Sequence, residues 1–187
     1  MTELHEDLAF VRAVVEDSRR AVQVDAWPLL AWGLLTVAGV ILVYLWPSLD
    51  SVWLWLVVIG LAWVLTGVRV AGSRSEKPAR LATRALSSLW FGLLTAMTLI
   101  GFVGSFSGAL PSATITSIVA AIFGAGYLGS AALLDWRALT VLAVVWWAGA
   151  VVLLLIAEPY RLALFGGLVL VLLVLPVIRF LFNQNAR

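Results

Sequence analysis

Four aromatic side chains fall where the apolar runs of this chain are deepest: Trp63, Tyr127, Trp146 and Trp147. The three tryptophans follow the starts of their runs by about ten to twelve residues, which is roughly 15 to 18 Å at about 1.5 Å per residue. An indole joins a large apolar face to one N–H that needs an acceptor when buried. Two uses follow. The rings can fill grooves beside small residues and donate to a threonine hydroxyl or a freed carbonyl. Alternatively, the four can wall a pocket for a flat apolar or cationic ligand, held by stacking and cation–π attraction. Side chains of adjacent residues point about 100° apart on a helix, so Trp146 and Trp147 are not expected to face one cavity, and one of them faces lipid.

The other polar groups inside the runs are neutral. Thr36, Thr66, Thr95, Thr98, Thr114, Thr116, Ser117, Ser130 and Thr140 can line a cavity, bond between helices, or bond to a carbonyl one turn back in their own helix. No Asp, Glu, Lys, Arg or His stands in the middle of a run, and Arg161 and Arg179 lie near enough to the ends to snorkel. Ionisable residues at membrane depth mark proton relays, ion coupling, voltage sensing and acid–base chemistry, so their absence argues against an ion-coupled pump or an intramembrane hydrolase. The chain has no cysteine and one histidine, His5, in a charged N-terminal segment. Thiolate catalysis, disulfides and cysteine-held metals are excluded, and one imidazole does not make a metal or haem site. With no phosphate-cradling glycine loop and no nucleophile–base pair, the sequence is read as a non-enzyme without cofactor or metal.

The elements that must carry these residues are set by composition. Of 187 residues, 63% are hydrophobic and 12% charged, with a mean hydropathy of +1.07. A soluble domain is about half apolar and a quarter charged, so the solvent here is lipid. Six runs are long enough to span a hydrocarbon core of about 30 Å: 27–46, 51–70, 86–106, 112–134, 136–157 and 159–182. Asp50 or Ser51, Ser112, Asp135 and Glu158 stand where helices would begin and can cap first-turn N–H groups, and Pro159 suits a first helical position. Trp27, Trp46, Trp53, Trp90, Trp136 and Tyr160 fall near run ends, as interfacial anchors do.

The basic residues set the orientation. Arg12, Arg19, Arg20, Arg69, Arg74, Lys77, Arg80, Arg84, Arg137, Arg179 and Arg187 fall on one side, and only Arg161 on the other. Both termini are therefore expected in the cytoplasm. A net charge of +2, distributed by topology, forms no nucleic-acid patch.

Small residues suggest where helices meet. Ala121, Ala125 and Gly129 recur at four-residue spacing in the fourth run, Gly104 and Gly108 end the third, and Ala163 and Gly167 open the sixth; such ridges permit close packing or a homo-oligomer. A faint repeat matches "WGLLTVAG" at 32–39 with "FGLLTAMT" at 91–98, which suggests three hairpins.

The first 26 residues carry nine charges and lack the apolar core of a secretory signal. Leu4, Leu8, Val11, Val15 and Val22 form one apolar stripe of an amphipathic helix. Six acids against three arginines disfavour adsorption to an anionic leaflet. The helix is expected to dock on the basic connection "RVAGSRSEKPAR", on a partner, or on a second copy.

The opening "EDLAFVRAVVEDSRR" followed by "WPLLAWGLL" resembles a loose group of small bacterial inner-membrane proteins that begin with a short charged helix and continue into about six spans. The resemblance implies a bacterial inner membrane location and brings no activity or site residue with it. The resulting expectation is an all-α polytopic membrane protein: a cytoplasmic amphipathic helix over 1–26, six transmembrane helices as three hairpins over 27–182, and a cytoplasmic tail over 183–187. Its expected role is that of a regulatory or scaffolding subunit whose neighbours are membrane lipids and a protein partner or second copy. The alternative is a carrier or channel for a small neutral, apolar or cationic solute.

Overall fold

The computed structural model describes residues 27–49, 51–72, 81–157 and 160–185. The expected amphipathic helix and its contact residues Leu4, Leu8, Val11, Val15 and Val22 lie outside them, as do His5, Asp50, Glu158, Pro159 and most of the basic connection at 73–80. The described residues form α1 (Trp27–Leu45), α2 (Val52–Gly72), α3 (Leu81–Ser107), α4 (Ser112–Leu134), α5 (Arg137–Leu155) and a sixth rod. This rod begins as α6 (Tyr160–Val169), widens into a π-helical turn at Leu170–Val174 and continues as α7 (Leu175–Asn185). Among the described residues, which form an all-α bundle, six helices are thus long and apolar enough to cross a membrane, as a polytopic membrane protein requires.

Connections dictate neighbours. Only Asp135 and Trp136 separate α4 from α5, and these two form the closest-packed pair of the bundle. So short a link leaves antiparallel packing as the available arrangement. Asp135 was expected to cap the start of α5. Instead it closes α4 in the left-handed conformation, φ 48° and ψ 45°, with its N–H on the Ala131 carbonyl. Aspartate tolerates this region better than most residues. Pro111 stands at the N-cap position of α4, with Ser112 the first helical residue, and the Pro111 carbonyl accepts the Thr114 N–H at 2.9 Å. Ser51 precedes α2 and offers its carbonyl to the Leu54 N–H at 3.1 Å.

Gly104 and Gly108 serve a turn rather than a helix–helix ridge. Gly108, at φ +66°, ends α3 in the left-handed region, and Leu110 folds back so closely that a Cβ on Gly104 would stand 2.8 Å from its Cδ1. This is the glycine-terminated helix end with its accompanying apolar contact.

Successive helices pack on one another, α1 returns to the sixth rod, and α4 also touches α6. The fourth span is the most enclosed and the second and third are the least. Its enclosed face carries Ser117, Ala120, Phe123, Gly124, Tyr127, Ser130 and Ala131. Of the expected ridge, Gly129 packs against α3, where a Cβ would stand 2.8 Å from Leu89 Cδ2, and Ala121 lies half-buried against the core, whereas Ala125 is exposed. In lipid both helix faces are apolar, so small size alone does not report which one packs.

Candidate functional site

The interior is organised by indole N–H groups that reach from one helix to a hydroxyl on the next. Trp32 Nε1 on α1 donates to Thr66 Oγ1 on α2 at 3.1 Å, Trp63 Nε1 on α2 to Thr98 Oγ1 on α3 at 3.1 Å, and Trp90 Nε1 on α3 to Ser130 Oγ on α4 at 3.0 Å. Each acceptor sends its own proton to the carbonyl four residues earlier: Thr66 to Ala62 at 2.8 Å, Thr98 to Leu94 at 2.8 Å and Ser130 to Gly126 at 2.7 Å. The hydroxyl proton is thereby held within the acceptor's own helix, which leaves the oxygen lone pairs turned toward the neighbour.

Rings accompany these bonds. Trp63 lies between Trp32 and Phe91, edge-on to both, at centroid distances of 5.4 and 5.5 Å. Trp32 and Phe91 are the matching first residues of the two repeated octets. Thr36 and Thr95, also matched, each bond to the carbonyl of that aromatic at 2.8 Å. A second cluster joins Trp90 to Tyr127 at 5.7 Å and Phe123 to Trp146 at 4.8 Å, the latter stacked.

The four residues expected to wall a pocket are therefore distributed. Tyr127 and Trp146 belong to the second cluster, and Trp63 to the first. Trp147 points outward, 38% exposed, while Trp146 is 0% exposed, so the neighbours diverge as helix geometry requires. Trp147 rests in the groove over Gly124, where a Cβ would overlap its ring, and donates to the Ala121 carbonyl at 3.1 Å. The Trp146 Nε1 has no partner among the described residues.

Tyr127 explains the widened turn. Its hydroxyl donates to the Leu172 carbonyl at 2.8 Å. In a regular α-helix that carbonyl would accept the N–H of residue 176, which is a proline and has none. The backbone shifts to five-residue pairing, with the Leu175 N–H on the Leu170 carbonyl, and the phenol supplies a donor for Leu172. Neighbouring side chains and π-type adjustments are how a proline is accommodated in a membrane helix.

Other polar atoms are similarly engaged. Ser117 Oγ donates to the Ala150 carbonyl at 2.6 Å. Arg161 closes the end of α5 by donating to the carbonyls of Leu153 at 2.9 Å and Ile156 at 2.6 Å. Trp27, Trp46, Trp53, Trp136 and Tyr160 are exposed at helix ends. Trp90, on an α3 that begins at Leu81 rather than at the expected 86, is instead buried within the bundle and bonded to Ser130. Trp32, Phe123 and Pro176 were not singled out from the sequence. A proline inside an apolar run was the available signal for the third, and a tryptophan with a threonine four residues on for the first. Among the described residues, no group of three His, Cys, Asp or Glu side chains is placed to hold a metal ion.

No protein-family model, curated protein or solved structure matches this chain.

Proposed function

We propose that this protein acts by contact, as a regulatory or scaffolding subunit of a bacterial inner membrane without catalysis of its own. The observation that supports this reading is the use of the interior polar groups: Trp32, Trp63, Trp90, Ser117 and Tyr127 are all committed to helix–helix bonds. Solute paths instead present polar groups to a cavity, and membrane catalysis or ion coupling draws on ionisable groups at depth. An interlocked bundle suits an anchor that presents a surface. In this reading both termini are cytoplasmic, and the apolar stripe of Leu4, Leu8, Val11, Val15 and Val22, beside the basic connection, forms the contact surface for a partner or second copy.

Deletion of residues 1–22 tests it. The truncated protein should still insert in the membrane but lose a co-purifying partner, or dissociate from dimer to monomer by light scattering. Unchanged companions and copy number would refute the contact role.

A further inference from the structure

Arginine edges the end of the bundle at which α1 begins. Arg69 in α2, Arg84 in α3, Arg137 in α5 and Arg179 in α7 are all exposed there, and Asp135 is the only acid among the described residues. Two of the four stand beside the start of α1. Trp32 reaches Thr66 at 3.1 Å, and Arg69 comes three residues after Thr66 in α2. A Cβ on Gly33 would stand 2.6 Å from Val174 Cγ2, and Arg179 comes five residues after Val174 in the sixth rod. Both neighbours run antiparallel to α1, as the contacts of Gly39 with Val58 and of Gly166 with Val40 show, and packed helix axes lie about 8 to 10 Å apart. Arg69 and Arg179 are therefore close to the level at which residues 1–26 join the bundle.

Those 26 residues hold six of the ten acids of the chain, against three arginines. Insertion does not account for this, since Lys and Arg set orientation while Asp and Glu contribute little. We propose that the acidic N-terminal segment docks on the arginine end of its own bundle, with Glu16, Asp17 and Asp25 drawn to Arg69 and Arg179, and so fixes the place at which the apolar stripe is presented. Reach and charge select this occupant. A chain extends at most about 3.6 Å per residue, so Asp25 lies within about 7 Å of Trp27 in any conformation. A tether so short raises the effective concentration of the segment to the millimolar range, above that of a segment from a second copy. The anionic leaflet repels a net negative segment rather than competing for it. The docking rests on charge and reach alone; its bearing on partner recognition rests on the contact-surface reading.

The test uses the full chain in neutral detergent. With no native cysteine, spin labels can be placed at Ala13→Cys and at Gly72→Cys, an exposed position where a Cβ would meet no atom within 4 Å. Double electron–electron resonance should give a narrow distance distribution at about 0.05 M salt, and a longer, broader one at about 0.5 M, where the screening length is roughly 4 Å. Arg69→Gln with Arg179→Gln should give the broad distribution already at low salt, whereas Arg69→Lys with Arg179→Lys should keep the narrow one. A distribution indifferent to salt, or unchanged in the glutamine variant, would overturn the proposal. So would loss of the narrow distance on mixing with excess unlabelled chain, since the segment would then sit on a second copy. Because the purified chain is measured alone, failure here is distinguishable from failure to find a partner.

Discussion

An indole N–H without an acceptor is costly in a medium with no water, and four tryptophans of this bundle, Trp32, Trp63, Trp90 and Trp147, each meet that need on the neighbouring helix. Hydrogen bonds between membrane helices average about 0.6 kcal/mol and reach about 1.7 kcal/mol. Trp63→Phe, which keeps a ring between Trp32 and Phe91 but loses the bond to Thr98, is expected to lower stability by about 1 kcal/mol in a detergent unfolding titration. Trp146 allows a sharper comparison. Trp90→Phe and Trp146→Phe both shrink a buried ring and so share a similar packing cost, but only Trp90 forfeits a hydrogen bond, because the Trp146 Nε1 has no partner among the described residues. Trp90→Phe should therefore cost about 1 kcal/mol more than Trp146→Phe. The reverse order would show that the Trp146 donor is engaged in the membrane. That Trp63, Trp146 and Trp147 lie deep in their runs was legible from their distance to the run ends. Which atom each one meets was not, because an acceptor on another helix leaves no mark in local sequence.

At the scale of the element, the sixth rod shows how a local defect becomes a tertiary contact. Pro176 withholds the N–H that Leu172 would otherwise accept, and Tyr127 compensates from α4. The two positions should be coupled. Tyr127→Phe strands a buried carbonyl and is expected to cost about 1 to 3 kcal/mol. In a Pro176→Ala background, the restored N–H can serve Leu172, and the same change should cost distinctly less; a double-mutant cycle reads the difference. Additive effects would reject the compensation. The α4–α5 pair offers a steric counterpart, since Gly124→Ala places a methyl group against the Trp147 ring and should cost about 1 to 3 kcal/mol. Gly60→Ala, where nothing stands within 4 Å, should be neutral to slightly stabilising by helix propensity.

For the whole molecule, the absence of native cysteine makes topology directly measurable. Six candidate spans are found among the described residues, and the proposed orientation, with both termini cytoplasmic, predicts a labelling pattern. Ala109→Cys, in the connection after α3, should react with a membrane-impermeant maleimide in intact cells. Ser75→Cys, between α2 and α3, should react only after permeabilisation. The opposite pattern would invert the protein and place its proposed contact surface outside the cell.

The linear chain by itself determined the class of object: continuous apolar runs have no stable state in water, and their lengths match a bilayer, so number and approximate ends of the spans were readable before any coordinates. The matched octets at 32 and 91 were readable too, although their shared grip on Trp63 was not. Only the tertiary structure decided which face of each helix is enclosed. In water, polarity separates inside from outside along a helix; in lipid both sides are apolar, and the choice passes to shape and to a few donors and acceptors. That is why α4 packs through Gly124 and Tyr127 rather than through Ala125, and why Trp90 turns into the bundle.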